Sequence, residues 1–519
     1  MTAIISSATL VGATGRPVSV EVHISTGLPA FTVVGLPDAE VRESRDRVRA
    51  AILSSGLAWP MRRITVNLAP SGVRKGGSGL DLPIAVGVLA ESGSLPAGST
   101  SHVAFVGELG LDGSVRHVPG MIGLADAAGG HRMMVPVADA AEAALVRAES
   151  VAGVASLRQL VAILTGCTPW PAPTLLASEP GDEVADTCVP LARADGDREL
   201  DLAEVKGQRV GRRAVEVAAA GGHHLLLVGP PGSGKTMLAE RLPGLLPPLG
   251  LDAALEVARI RSAAGIPLPA DRIFRRPPFR APHHGASAVS LIGGGTWAMR
   301  PGEISLASHG VLFLDEMGEF PSVVLDALRQ PLEEGVARVS RARGSVTFPA
   351  RFLLVGAMNP CPCGQGGPPG SCRCLPSARA RYTRRLSGPL LDRFDLVVPL
   401  SRPDPDELLA TEGGEPSAAV AVRVAAVRES ARRRGAPSNA LLGASVLDRT
   451  APMTEGAREL LEARVRAGGL TGRGLHRVRR VALTVADLDG VDGPIDEHHV
   501  AEALALRAGR AVADAPDQS

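Results

Sequence analysis

The chain has 519 residues, of which 45% are hydrophobic and 21% are charged. This length and apolar content are enough to bury sizeable cores in roughly two to four globular domains. The formal net charge of +1 excludes a polycationic chain, so any contact with nucleic acid has to come from local basic patches.

The amino-terminal segment and the cysteine content both favour the cytoplasm. Residues 1–15 lack the basic stretch of a signal peptide, and no apolar run approaches the roughly 20 residues that cross a bilayer. We therefore expect a cytoplasmic protein without a membrane partner. Six cysteines are present, and four of them lie within residues 361–374, which is poor spacing for a secreted disulfide framework.

The first domain is predicted to span residues 1–164. The stretches VSVEVHIS, RITVNLAP, HVAFVGEL and RMMVPVA alternate like short strands, and Ala-rich helical stretches lie between them. This pattern predicts a mixed α/β domain. Residues 165–195 are rich in Pro, acidic and small residues without a sustained period, which predicts a linker.

The second domain, residues 196–403, is also predicted to be α/β. Its apolar runs HHLLLVG, VLFLD and FLLVGAMN are typical of buried parallel strands separated by helices. Residues 404–512 are Ala- and Arg-rich with helical spacing, which predicts a helical lid. Residues 513–519 are predicted to form a disordered tail.

A nucleotide site is predicted by the segment LLLVGPPGSGKTMLAERL, in which a strand, a Gly-rich loop and a helix follow one another. The glycines let backbone N–H groups converge on phosphates, Lys235 reaches the β and γ oxygens, and Thr236 binds Mg²⁺. The expected ligand is therefore ATP or GTP with Mg²⁺. The predicted nucleotide-binding residues are Gly229, Pro230, Pro231, Gly232, Ser233, Gly234, Lys235, Thr236 and Met237.

Catalytic groups are predicted at the ends of two later strands. VLFLDE delivers Asp315 and Glu316 to the carboxyl end of a buried strand, where ligands bind in open α/β sheets. We expect Asp315 to hold Mg²⁺ through water and Glu316 to polarise the attacking water. FLLVGAMN ends in Asn359, a neutral group placed to orient that water and to sense the γ-phosphate.

Five sequence blocks together resemble AAA+ ATPases, most closely the magnesium-chelatase-like ComM/YifB family. The blocks are DLAEVKGQRVGRRAVEVAAAGGHHLLLVGPPGSGKTMLAERLPGLLPPL, FRAPHHGASAVSLIGGG, PGEISLASHGVLFLDEMGEF, AMNPCPCG and SGPLLDRFDL. The resemblance covers nearly the whole chain. It implies a P-loop ATPase core with a helical lid, ATP and Mg²⁺ as cofactors, and a homo-oligomeric ring of six subunits.

The resemblance also implies roles for two arginines. In AAA+ proteins the arginine of the DRFDL block acts across a subunit boundary, so Arg393 resembles the arginine finger for a neighbour's ATP. Arg473 in GLTGRGLHR resembles the second sensor arginine of the lid. Arg477 and Arg480 are alternatives, one or two helical turns further on.

The first domain resembles the Lon-protease-like domain found at the amino end of this family. Aligned with the Lon active-site loop and its later lysine segment, the chain has Gly79 in place of the serine and Ile122 in place of the lysine. Ser78 is one position away, but Ser-Lys hydrolysis needs the base within hydrogen-bond distance of the hydroxyl. We expect a non-catalytic domain that serves as a ring platform or as a DNA-binding collar.

The candidate DNA contact is an arginine-rich hairpin. The stretch EEGVARVSRARGSVTFPARFLLV predicts two strands with Arg338, Arg341 and Arg343 at or near their turn, and in related AAA+ helicases such a hairpin touches DNA. Arginine pairs well with phosphate oxygens, and a ring multiplies each contact, so the expected binding is salt-sensitive and sequence-independent. The alternative is a solvated hairpin tip.

A second metal site is predicted in the loop PCPCGQGGPPGSCRCLP. Its four thiolates around Zn²⁺ would order a Gly/Pro segment with little core of its own. Free thiols are the second interpretation, and disulfides come last because the expected compartment is reducing. His283 and His284 are alternative ligands, although polar loop contacts suit adjacent histidines better. The cysteine ligands are Cys361, Cys363, Cys372 and Cys374.

Three functions are compatible with these motifs by analogy. The resemblance favours a motor that couples ATP hydrolysis to DNA translocation, as a helicase or in branch migration, with single-stranded or branched DNA as partner. The alternatives are the motor subunit of a metal chelatase and a protein-remodelling ATPase.

Overall fold

The structure is a computed structural model that describes residues 2–72, 75–147, 149–171, 200–268, 275–295, 299–341, 344–365, 372–409 and 413–509. Residues 172–195 of the predicted linker lie outside this range, and so do Arg343 and the predicted tail. Nothing in the structure therefore bears on those parts of the chain.

The first domain contains strands and helices in alternation. Its strands are β1 (Ala3–Val11), β2 (Thr14–Ser25), β3 (Ala30–Val34), β4 (Arg63–Ala69), β5 (Val103–Phe105), β6 (Glu108–Leu109), β7 (Val115–Arg116), β8 (Arg132–Pro136) and β9 (Val151–Val154). Its helices are α1 (Ala39–Ser54), α2 (Asp81–Glu91), α3 (Met121–Ala127), α4 (Ala140–Arg147) and α5 (Leu157–Leu164).

A mixed sheet organises this domain. Within the described residues its strand order is β3-β4-β2-β1-β5-β8-β9. β2 pairs antiparallel with β1 and β4, whereas β5, β8 and β9 are parallel neighbours. The alternation seen in VSVEVHIS is the reason that β2 is half-buried, because Val18, Val20 and Val22 are buried while Glu21 and His23 are not.

The second domain begins with a helix that leads into a strand. Its strands are β10 (Leu225–Val228), β11 (Phe279–Arg280), β12 (Gly293–Gly294), β13 (Arg300–Pro301), β14 (Val311–Leu314), β15 (Val336–Arg341), β16 (Gly344–Pro349), β17 (Leu353–Met358) and β18 (Leu396–Pro399). Its helices are α6 (Arg209–Gly221), α7 (Lys235–Arg241), α8 (Leu251–Ala263), α9 (Ala288–Ile292), α10 (Glu303–Leu306), α11 (Ser322–Asp326), α12 (Arg329–Glu334), α13 (Pro376–Thr383) and α14 (Gly388–Leu391).

The core of the second domain is a parallel sheet of order β11-β14-β17-β10-β18. Leu225 and Leu227 of β10 pack into the core that α6 and the carboxyl-terminal helices share. Leu226 and Val228 pack into the core on the opposite face. Burial on both faces explains why the strands read as continuous apolar runs.

The carboxyl-terminal region is helical, as predicted. Its helices are α15 (Pro405–Leu409), α16 (Ser417–Arg433), α17 (Ala444–Thr450), α18 (Glu455–Arg466), α19 (Gly472–Leu488) and α20 (Glu497–Ala505). Val478, Val481, Ala482 and Val485 form the buried stripe of α19. None of the helices in the described residues combines the length and apolar character that a membrane span requires.

Within the described residues, the first domain contacts the second domain at α8 and at the β15–β16 hairpin. Ser262 of α8 accepts a hydrogen bond from the Gly120 amide at 3.0 Å and donates to the Glu142 carboxylate. The turn between β1 and β2 packs on the β15–β16 hairpin, where a Cβ at Gly12 would lie 2.5 Å from Val346 Cγ1. The first domain is therefore in contact with the hairpin that carries the candidate DNA-binding arginines.

The strands and helices of the three regions together confirm the predicted α/β fold class with a helical carboxyl-terminal domain.

We expect Phe348→Ala to destabilise the protein by about 3–5 kcal/mol, because Phe348 is a fully buried aromatic at the base of the hairpin. Thr347→Ala, the neighbouring exposed position, should change stability by less than about 0.5 kcal/mol. Denaturant unfolding followed by circular dichroism measures both. Equal stabilities of the two variants would contradict the packing described here.

Candidate nucleotide-binding and catalytic site

The phosphate-binding loop connects the end of β10 to the start of α7. Gly232 and Gly234 have φ angles of +78° and +80°, in the left-handed region that L side chains rarely adopt. At Gly229 a Cβ would lie 2.6 Å from the Leu400 carbonyl oxygen. The loop therefore needs glycine at these three positions, and the other predicted nucleotide-binding residues lie on the same loop and on the first turn of α7.

Lys235 connects the loop to a neighbouring strand. Its buried ammonium donates to the carbonyl oxygens of Gly229 at 2.8 Å and Pro230 at 3.0 Å. It also donates to Asn359 Oδ1 at 3.2 Å, across the end of β17. Burial lowers the pKa of Lys235, and the nearby carboxylates of Asp315 and Glu316 oppose that shift. Lys235 and Asn359 are thus brought together as the strand order requires.

The predicted magnesium ligands also lie together. Thr236 Oγ1 donates to Asp315 Oδ2 at 2.8 Å, and the other Asp315 oxygen accepts the Glu316 amide at 2.8 Å. A hydroxyl and a carboxylate at the phosphate loop are hard oxygen donors of the kind Mg²⁺ takes beside a substrate phosphate. The donor set therefore fits Mg²⁺.

Glu316 is held in an uncommon backbone conformation beside a histidine. Its φ of +48° is positive, which is uncommon for a residue other than glycine, and its side chain is exposed. His284 Nδ1 lies 3.3 Å from Glu316 Oε2, and the rings of His283 and His284 are 4.0 Å apart. His284 thus makes a polar contact with the carboxylate of Glu316, and His283 packs against the ring of His284. The sequence feature that could have indicated this contact is the pair of adjacent histidines in the FRAPHHGAS block.

The arginines lie at the opposite edge of the parallel sheet. Arg393 comes just before β18, at the amino ends of the strands, and it pairs with Glu333 of α12. Burial lowers the pKa of Arg393, and the charges of Arg477, Arg473 and Arg329 lower it further. Lys235 follows the carboxyl end of β10, so Arg393 and Arg473 are on the far edge from the phosphate loop of their own chain.

A buried polar network fixes α19 beneath that edge. Asp395 lies 3.5 Å from Arg477 Nε and 3.4 Å from His223 Nδ1, and His223 Nε2 is 2.8 Å from Thr484 Oγ1. Burial alone would raise the pKa of Asp395, but His223 and Arg477 lower it to about 2. The ionised carboxylate therefore anchors Arg477 of α19 to the start of β18.

Sequence reasoning did not predict a cavity of 470 Å³ that lies before α6. Leu202, Val205 and Val420 form apolar parts of its wall, and Lys206 and Gly207 line it beside them. Gln208, next in the chain, lies 4.0 Å from the Cβ position of Gly234 and donates to the Ser401 carbonyl at 2.6 Å. The cavity is therefore next to the phosphate loop. The sequence feature that could have indicated this cavity is VKGQ, which lies directly before α6.

Of the candidate DNA-binding arginines, Arg338 and Arg341 belong to the described residues. Arg338 is exposed on β15 and pairs with Glu334 at 2.8 Å. Arg341 ends β15, and β16 pairs with β15 along its length as a hairpin. Arg343 lies outside the described residues.

The Lon-like positions of the first domain carry no Ser-Lys pair in the described structure. A Cβ at Gly79 would contact Val118 and Val106 at 3.1 and 3.5 Å, and Ile122 is fully buried. Ser78 donates to the Glu108 carboxylate instead of to a base.

The four loop cysteines converge. The sulfur atoms of Cys361, Cys363, Cys372 and Cys374 all lie within 4.8 Å of one another. Neither His283 nor His284 belongs to this cluster.

Comparisons with known proteins show which family the chain belongs to. Family models described as "Magnesium chelatase, subunit ChlI", "Subunit ChlI of Mg-chelatase" and "Magnesium chelatase, subunit ChlI C-terminal" match residues 201–408, 20–139 and 414–507. Uncharacterized protein YifB of Salmonella typhimurium is 43% identical over 98% of this chain and 97% of its own length. Competence protein ComM of Haemophilus influenzae is 42% identical over the same shares. The chain belongs to the magnesium-chelatase-like ComM/YifB family.

Family membership confirms the predicted resemblance and, with it, an AAA+ type of ATPase that uses ATP and Mg²⁺. Relatives named magnesium-chelatase subunit ChlI, from Chlorella vulgaris and Bigelowiella natans, are 36% identical over 66 residues, which is 13% of this chain. The ComM/YifB relatives therefore account for far more of the sequence than the chelatase subunits do.

We expect Glu316→Gln to lower the ATP turnover number by about 10²–10⁴-fold while MgATP still binds, because a carboxamide cannot take a proton from water. Glu319→Gln is the matched control, since Glu319 belongs to the same segment but pairs with Arg385 at 2.8 Å. Its turnover should stay close to wild type. Steady-state ATPase assays and binding of a fluorescent ATP analogue separate the two effects, and full activity of Glu316→Gln would contradict the assignment.

Proposed function

We propose that this protein is a ring-forming ATPase that couples ATP hydrolysis to translocation on DNA, as a helicase or in branch migration. One subunit binds MgATP through its phosphate loop, and the next subunit supplies arginine to the γ-phosphate. The resemblance to the ComM/YifB family supports a hexamer.

The observation that carries the ring is the separation of Lys235 from Arg393 and Arg473 on opposite edges of one sheet. An arginine stabilises the transition state only when it contacts the transferring phosphoryl group. Arg393 is mostly buried, with 16% of its side chain exposed, and it shares its edge with Arg329, Arg473 and Arg477. Within its own chain Arg393 pairs with Glu333, and we propose that a neighbour's nucleotide replaces this carboxylate when the ring forms.

The cavity before α6 is proposed to hold the adenine base. It lies beside the phosphate loop, and its wall combines three apolar side chains with the charged side chains of Lys206, Arg209, Arg212, Arg213, Glu216, Glu407 and Glu415. Base and triphosphate would then be bound by consecutive segments of the chain, from Val205 to Thr236.

A mixing experiment tests the shared site. Arg393→Ala should lower the turnover number on the order of 10³-fold, and Lys235→Ala should abolish nucleotide binding. In mixed rings, an Arg393→Ala subunit keeps its own phosphate loop and receives Arg393 from a Lys235→Ala neighbour. The mixture should therefore hydrolyse ATP faster than the sum of the two separate variants.

The control for this mixture replaces Arg393→Ala with Arg466→Ala. Arg466 is a surface residue on α18 whose side chain is 79% exposed and pairs with Glu462, so its loss should leave turnover unchanged. Failure of the Arg393→Ala and Lys235→Ala mixture to gain activity, with both chains present in one ring by native mass spectrometry, would contradict a shared site.

DNA is the proposed substrate because the ComM resemblance implies it and because the hairpin presents exposed arginine. Arg338 is 57% exposed, and the base of the hairpin is fixed by buried Phe348. A rigid basic hairpin repeated around a ring gives many phosphate contacts without base recognition.

We expect the variant Arg338→Ala/Arg341→Ala/Arg343→Ala to lose DNA-stimulated ATPase activity while its basal rate remains. The physical reason is the loss of phosphate contacts, which should also flatten the dependence of DNA affinity on salt. Arg432→Ala/Arg433→Ala, on the surface of α16, is the control and should retain stimulation. ATPase rates on single-stranded, duplex and branched DNA measure the effect, and indifference of the wild-type protein to all three DNAs would contradict the proposal.

A second candidate function is the motor subunit of a metal chelatase, which the descriptions of the three matching family models favour. An assay of Mg²⁺ insertion into a porphyrin, with partner chelatase subunits added, tests it. ATP-dependent insertion would support this function over DNA translocation.

A further inference from the structure

The four loop cysteines are arranged as ligands of one tetrahedral ion. Sγ–Sγ distances are 3.3 Å between Cys361 and Cys363, 3.7 Å between Cys363 and Cys372, and 3.5 Å between Cys372 and Cys361. Four sulfurs bound to zinc by bonds of about 2.3 Å lie about 3.8 Å apart. A disulfide would require about 2.05 Å. The spacing is that of a tetrathiolate site.

Backbone amides support the sulfurs in the way that metal-bound thiolates require. The Cys374 amide donates to Cys372 Sγ at 3.5 Å. The amides of Gln365 and Arg373 donate to Cys363 Sγ. Such hydrogen bonds orient the ligands and stabilise their negative charge. Cys361 is itself buried, with 1% of its surface exposed, so one ligand is anchored in the protein core.

This loop touches the nucleotide site on two sides. A Cβ at Gly364 would lie 2.9 Å from Pro231 of the phosphate loop. The chain leaves Asn359 two residues before Cys361 and returns through α13, where the Tyr382 hydroxyl accepts a hydrogen bond from the Asn359 amide. Tyr382 also fills the space beside Gly318, where a Cβ would come within 2.3 Å of the ring.

We propose that Cys361, Cys363, Cys372 and Cys374 bind one structural Zn²⁺ ion, and that this ion fixes the position of Asn359 relative to the phosphate loop. All four ligand positions are filled by protein, as in structural zinc sites, so the ion takes no part in chemistry. The second half of the proposal rests on the proposed function, because it assigns Asn359 to the γ-phosphate. The first half does not depend on it.

The zinc content of the purified full-length protein tests the first half. Inductively coupled plasma mass spectrometry should find about one zinc per chain, and a mercurial reagent should release it to a colorimetric chelator. Cys372→Ser/Cys374→Ser should lose the metal, whereas Cys167→Ser, which removes an exposed free cysteine after the end of α5, should retain it. After exchange, Co²⁺ should give the visible absorption of a tetrahedral thiolate complex.

The zinc site would be overturned if wild-type protein expressed in zinc-supplemented medium contained no zinc. It would also be overturned if the double variant contained as much zinc per chain as the wild type. Disulfide-bonded cysteines in protein isolated under anaerobic conditions would overturn it as well. Because the double variant is at risk of misfolding, mercurial release from the wild-type chain provides the independent measurement.

The second half predicts a specific kinetic effect. Zinc release from the wild-type protein should lower the ATP turnover number by at least the effect of Asn359→Ala, while affinity for MgATP changes less. Restoration of turnover by added Zn²⁺ would support the link. Zinc loss without any change in the ATP turnover number would overturn the link to Asn359 but not the zinc site itself. Inactivity of the zinc-loaded wild-type protein would instead count against the proposed function.

Discussion

The parallel direction of the strands β11-β14-β17-β10-β18 is the constraint on which the site depends. A parallel sheet has two unlike edges, and every strand-end residue is assigned to one of them by its place in the chain. Lys235, Asp315 and Asn359 follow strands and meet at the carboxyl edge. Arg393 precedes a strand and lies at the amino edge. We therefore propose that a single chain holds only part of the ATPase site.

Contacts connect this divided site to the rest of the molecule. At the carboxyl edge, the cysteine loop packs on Pro231 and Tyr382 contacts the Asn359 amide. At the amino edge, Arg393 pairs with Glu333, which lies on the helix that precedes the β15–β16 hairpin. The first domain packs on that hairpin at Gly12. Arg393, the hairpin and the first domain are thus connected through α12 and the turn at Gly12.

The sequence predicted the elements whose signals are local. The glycines of the phosphate loop, the apolar runs of β10, β14 and β17, and the arginine hairpin each follow from a few consecutive residues. What it could not predict depends on distant parts of the chain: the His284 contact with Glu316, the Glu333 pair with Arg393, and the cavity that Val205 and Val420 share. Pairings of this kind are set by strand order and packing, which a local pattern does not encode.

We propose that each ATP is hydrolysed between two subunits. The most direct test is the ATPase rate per chain as a function of protein concentration, with mass photometry of the same samples in ATP. We expect the rate per chain to rise from a low value for monomers and to reach its plateau as rings form. A constant rate per chain across the range in which monomers become rings would contradict it.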